Sequence, residues 1–226
     1  MLLKSVLAGL VCATVHSALV NAYVVPRQTF SQADSDGMDD LPYNFTLAAW
    51  NTTLPNTNST GAPLVLGQNG ATSGFSLQVT STWASYPYNE YPVLSLIGGT
   101  LRAYTRQGEW ITNATSVFAG RPMGWVTTRM RTTAVAAKDF AVTPLQSGTV
   151  PQPSPAPGPG ASVPAETEPE LPLLYGLGTA DLWSLCPTGS GPFAQTNVVF
   201  NASASPPWAG YNPADCFSVR LHIVRV

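Results

Sequence analysis

Charge is scarce in this chain: Asp, Glu, Lys and Arg make up 10% of its 226 residues and the formal net charge is -2. With no basic patch to displace counterions, nucleic acid and an anionic membrane surface are not expected partners. Histidine is scarcer, two residues, of which only His222 lies beyond the amino-terminal segment. The three cysteines, Cys12, Cys186 and Cys216, form no CxxC pair. A structural zinc site therefore lacks its four ligands, and no metal is expected. There is no G-x-S-x-G elbow, phosphate loop, dinucleotide fingerprint, calcium loop or HExxH, so no cofactor is expected either. The carboxyl end has no hydrophobic tail of the kind that directs a glycolipid anchor.

What the chain does have is turn formers, 19 Gly and 21 Pro, and a polar character drawn from Ser, Thr, Asn and Gln. That composition disfavours long helices and predicts many short strands. The length suits one domain with a core of its own.

At the amino end Lys4, an apolar run from Val6 to Val15 and the small-residue site Val20-Asn21-Ala22 predict a signal peptide over residues 1–22. The apolar run is too short to span a bilayer, and His16, Ser17 and Asn21 interrupt it, so no membrane contact is expected of the mature form. Cys12 leaves with that peptide. The remaining pair, exported to an oxidising compartment, predicts a Cys186 to Cys216 disulfide worth about 2 to 4 kcal/mol.

Residues 23–42 are rich in acids and poor in apolar anchors, which predicts a flexible lead-in. A single β domain is expected over 43–226, interrupted by a disordered Pro-rich loop at 143–172. Phe45, Leu47 and Ala49 alternate as on a strand with one buried face, and Leu64 to Leu66 predict a short second strand with a loop from Gly67 to Gly74. Val93 to Ile97 and Thr100 to Tyr104 flank Gly98-Gly99, a two-residue hairpin turn. Short strands are also expected at Trp110 to Thr112, Ser116 to Phe118, Trp125 to Met130, Phe140 to Val142, Leu173 to Tyr175, Leu182 to Cys186 and Asn197 to Phe200. The last, Cys216 to Val224, puts Phe217, Val219, Leu221 and Ile223 on one face and Ser218, Arg220 and His222 on the other. The architecture expected is all-β, a β-sandwich or closed barrel, with a β-trefoil-like arrangement as the alternative.

Candidate chemistry is sparse. His222 is expected as an exposed or half-exposed strand residue; Arg121, Arg129 and Arg131 form the one basic cluster, in which Arg129 and Arg131 would share a solvated strand face, with an acidic polysaccharide as the alternative it could suit. A glycosidase would need two carboxyl groups across a cleft, for which Glu90, Glu109, Asp139, Asp181 and Asp215 are the acids available. The loop aromatics Trp83, Tyr86, Tyr88, Tyr91, Trp208 and Tyr211 are candidates for stacking on sugar, or for plugging the ends of the β domain. Sequons at Asn44, Asn51, Asn58, Asn113 and Asn201 predict N-linked glycans, which must face solvent.

The signal peptide, the Phe45-x-Leu47-x-Ala49 strand, the stretch Gly99-Thr100-Leu101-Arg102-Ala103 and the block Trp183-Ser184-Leu185-Cys186-Pro187 with a second cysteine later resemble small secreted fungal proteins of the PhiA-like cell-wall type. The resemblance implies an extracellular or cell-wall component without an assigned catalytic site. The expectation is thus a secreted, N-glycosylated, non-enzymatic protein, structural in role. A carbohydrate-binding module that uses the loop aromatics on cell-wall polysaccharide is the alternative, and a hydrolase with a carboxylate pair comes third.

Overall fold

The computed structural model describes residues 37–56, 58–72, 74–128, 136–143, 168–204, 206 and 209–226. The expected signal peptide, most of the lead-in and most of the Pro-rich loop lie outside them.

The chain is all-β, built on a closed nine-stranded antiparallel barrel with extra strands. In chain order the strands are β1 (Phe45–Asn51), β2 (Ala62–Thr72), β3 (Phe75–Thr82), β4 (Val93–Ile97), β5 (Thr100–Tyr104), β6 (Trp110–Ala114), β7 (Arg121–Pro122), β8 (Gly124–Thr128), β9 (Phe140–Val142), β10 (Leu174–Gly176), β11 (Trp183–Thr188), β12 (Gln195–Phe200) and β13 (Phe217–Arg225). The circuit runs β3-β8-β6-β5-β4-β1-β13-β11-β12 and returns to β3. Two of its joints are single residue pairs, Phe45↔Leu94 and Asn197↔Ser81. Strand β2 lies outside the circuit and links β3 to β1, meeting β1 at Ala48↔Pro63 and Ala49↔Ala62.

Alternation sets what lies inside. Strands β1 and β13 pair from Phe45↔Arg225 to Asn51↔Val219, and Phe45, Leu47, Ala49, Val219, Leu221 and Ile223 all enter the core. Trp183 of β11 lies edge-on to Phe200 of β12, with ring centroids 5.0 Å apart, and its Nε1–H donates to Leu174 O at 3.1 Å. Strands β9 and β10 form a separate ribbon whose Phe140, Val142 and Leu174 complete that core. The ribbon comes so close to Trp183 that a Cβ on Gly176 would stand 2.6 Å from the indole.

Several expectations are corrected. Order reaches back to Gly37 rather than beginning at Tyr43, because Met38 exchanges two 2.8 Å backbone bonds with Val142 and Leu41 is buried in the core. The acids expected to keep this stretch mobile have work to do: Asp39 O and Asp40 Oδ1 accept from the amides of Gly99 and Gly98. The hairpin they cap has the predicted form, with φ of 56° and 73° at the two glycines.

Residues Gly67 to Thr72 are strand, not loop. They pair with β3 through a register shift between Gln68 and Gly70, and a side chain on Gly67 would overlap Ser81 Oγ and Gln195 Oε1. Residues Ser116 to Phe118 are not a strand. Of the architectures expected, the closed barrel is the one found, in place of the sandwich or the trefoil-like alternative.

Candidate functional site

The predicted disulfide is present, joining Cys186 on β11 to Cys216 just before β13 with an S–S distance of 2.07 Å. It lies on the outer face of the barrel wall, since its strand neighbour Leu185 faces the core. Cys186, Val199 and Ala202 form a small apolar cluster there, and Tyr211 and Cys216 pack on it. Tyr211 Oη donates to Gly120 O at 2.9 Å, and Gly120 N donates in turn to Phe200 O at 2.7 Å. Tyr211 is thus a structural cover for the disulfide and not an open sugar platform. Trp208 lies outside the described residues.

The remaining aromatics divide. Tyr91 is buried in the core and shares a hydrogen bond with Thr127 Oγ1 at 3.1 Å, so it plugs the barrel, a correction to its candidacy as a sugar-stacking ring. Trp83 and Tyr88 stay 42% and 62% exposed on the β3–β4 loop. Tyr86 packs edge-on against Tyr88 with centroids 5.2 Å apart, and burial, then the charges of Glu90 and Tyr88, push its phenol pKa up. The loop that carries these rings is held at its base. Tyr86 N donates to Thr82 O, Thr82 and Ser85 share a hydroxyl bond at 3.0 Å, and Ser85 Oγ accepts from Thr196 N of β12 at 2.9 Å.

His222 departs furthest from expectation. Its outward position on β13 is correct, yet the side chain is fully buried. Glu168, at the end of the Pro-rich stretch, comes down on it: Glu168 Oε1 lies 2.9 Å from His222 Nε2, and Oε2 takes a 2.9 Å ion pair from Arg220. A carboxylate only accepts, so the proton of that bond belongs on Nε2. Nδ1 is buried without a partner, and the ring stacks on Trp50 of β1 at 5.9 Å and 19°. Arg220 also bonds Asp181 at 3.0 Å. Burial alone would lower the Arg220 pKa, and the hydrogen bonds and charges of Asp181 and Glu168 outweigh it, so the net shift is upward. The chain is held down beyond Glu168 too, because Ile223 N donates to Pro172 O at 2.8 Å and Leu173 bridges to His222. No local pattern pointed to this group, since Glu168 lies amid prolines and 54 residues from its histidine.

Two of the other candidate acids hold structure. Asp139 Oδ2 accepts from Val117 N at 2.9 Å, Asp215 bonds Asn212, and Glu90 and Glu109 are exposed. Glu168 and Asp181 share Arg220, and each oxygen of Glu168 is engaged with a basic side chain. Among the described residues no group of three His, Cys, Asp or Glu could hold a metal ion. Arg121 is exposed with its guanidinium 5.6 Å from the Phe118 ring, and Arg129 and Arg131 lie outside the described residues.

The sequons fall into two kinds. In the β1–β2 loop, Asn51 Oδ1 accepts from Thr53 N and Thr53 Oγ1 at 2.8 and 3.1 Å. Asn58 Oδ1 accepts from Thr60 N and Oγ1 at 3.0 and 3.3 Å. Asn201, at φ 47°, accepts from Ser203 Oγ at 2.8 Å, and Asn44 is exposed. Asn113 differs, lying within β6 with its carboxamide against Trp110. No family model, curated protein or solved structure matches this chain.

Proposed function

We propose that this chain is a secreted, N-glycosylated, non-enzymatic protein of a cell wall or extracellular layer, with a structural role. The observation that carries it is the loop from Asn51 to Gly61. Two sequons there are folded into turns in which the threonine hydroxyl bonds the asparagine carboxamide oxygen, which leaves each Nδ2 free of that turn. Support comes also from the Cys186–Cys216 bridge, a bond that persists in oxidising compartments, and from the resemblance to PhiA-like proteins. The acids fit the same reading, because Asp139 holds a backbone amide, Asp215 a side-chain amide and Asp181 the Arg220 guanidinium. The test is glycopeptide mass spectrometry together with fractionation of the producing cells. Sugar on Asn51 and Asn58, and protein that stays in the wall after detergent extraction without release by competing glycans, is the expected result. A chain recovered unmodified from the cytosol would sink it.

Trp83 and Tyr88 favour a second reading, contact with wall polysaccharide. Two open rings on a loop tied to β12 present flat amphipathic surface at small conformational cost. Sedimentation with chitin, β-glucan and mannan should then show pull-down that Trp83→Ala abolishes, and the reading fails if none of the three carries the wild-type chain down.

A further inference from the structure

Trp110 and Asn113 lie three residues apart on β6, and the indole Nε1–H donates to Asn113 Oδ1 at 3.0 Å. Directly across the strand pair from Asn113 is Arg102 of β5, whose guanidinium sits 3.9 Å from the centre of the Trp110 ring. The trio is incomplete as protein alone. Arg102 has no carboxylate partner among the described residues, and its Nε is buried without an acceptor. A buried N–H in that state is destabilising. Trp110 remains 41% exposed although one ring face carries the arginine. With Oδ1 fixed by the indole, Asn113 Nδ2 has no partner among the described residues, and Nδ2 is the atom through which an N-linked sugar joins. Asn113 is itself only 9% exposed, with Arg102 of β5 opposite it on one side and Val126 of β8 on the other.

We propose that the glycan of Asn113 is seated on this trio. Its first sugar lies against the indole, and its hydroxyl and N-acetyl oxygens accept from the Arg102 guanidinium. The linkage forms when Nδ2 displaces the diphosphate from C1 of a polyprenyl-diphosphate oligosaccharide. The new bond is Nδ2–C1, and the lipid diphosphate and one amide proton leave. Residues directly opposite on paired strands have Cβ atoms about 5 Å apart, which brings Arg102 within reach of a sugar on Asn113. Aromatic contact and the terminal nitrogens of a charged donor then act on the same sugar. The inference rests on the N-glycosylation proposed above.

Thr115→Ala removes this sequon and Thr115→Ser keeps it. With both secreted from a eukaryotic host, glycopeptide analysis should find Asn113 occupied in the Ser variant alone, and the Ala variant should melt about 2 to 4 °C lower. Made with glycosylation blocked, the pair should melt together. In the wild type, enzymatic trimming to a single N-acetylglucosamine should keep the higher Tm, and complete removal should lose it, a comparison that needs no variant. In Trp110→Phe, which lacks the indole N–H, the gap between trimmed and deglycosylated protein should shrink. Sugar on Asn51 or Asn58 but none on Asn113 would overturn this inference and leave the proposed function standing, as would occupancy without a Tm difference. Absence of sugar at every sequon would overturn both.

Discussion

On the outer face of β11 and β12, Cys186 and Val199 are covered by Ala202, Tyr211 and Cys216, a cover fastened by the disulfide. On the neighbouring strand β13, Arg220 and His222 are covered by the segment from Glu168 to Leu173, fastened by one carboxylate, an arginine and backbone bonds. The first cover is apolar and covalent, so its hold depends on redox state and little on salt. The second places a charged acid over a buried imidazole, so its hold depends on both partners being there. Removing one leaves the other desolvated and unpaired, which is worse than never having had the pair. Neighbouring strands of one wall thus carry a staple that survives loss of charge and a clasp that does not.

The largest expected effect tests the floor beneath the clasp. Trp50 is buried on the outer side of β1 with its ring on His222, and Trp50→Ala should destabilise the chain by about 3 to 5 kcal/mol, read as a fall in the denaturant midpoint. A change under 1 kcal/mol (~) would mean that the outer layer is ornament to the barrel. Next is the staple: Cys186→Ser with Cys216→Ser should lose about 2 to 4 kcal/mol, and added reductant should lower the melting temperature of the wild type alone.

Glu168→Ala should lose about 1 to 3 kcal/mol by stranding His222 Nε2. That loss should be accompanied by faster amide exchange at Ile223, whose N–H is tied to Pro172, and unchanged exchange there would separate the carboxylate from the backbone latch. The smallest effect belongs to Asp181→Asn. Its partner Arg220 keeps Glu168, the pair is largely exposed, and a loss of about 0.2 to 1 kcal/mol that vanishes in high salt is expected from melting curves at two ionic strengths.

Much of the architecture was legible in residues. Alternation placed Phe45, Leu47, Val219, Leu221 and Ile223 inside, and Gly98-Gly99 located the tightest hairpin, because period-2 burial and positive φ are local demands. The long β2 was misread at Gly67, where glycine answers the close approach of Ser81 and Gln195 and not a turn. Tyr91 and Trp83 sit on one loop with similar neighbours in sequence, and nothing in the letters tells which ring turns inward. That depends on the space left at the end of the barrel and on the Thr127 hydroxyl.

By itself the sequence determined the all-β class, the pairing of Cys186 with Cys216, and where the Asn-x-Ser/Thr triplets lie. Each follows from composition, count or a three-residue pattern. The tertiary structure alone decided that the strands close into a barrel, that His222 is buried beneath Glu168, and that Asn113 lies beside Trp110 and Arg102. Those juxtapositions join residues 54 positions apart or on different strands, and only the closing of the sheet and the return of the chain over its outer face bring them together.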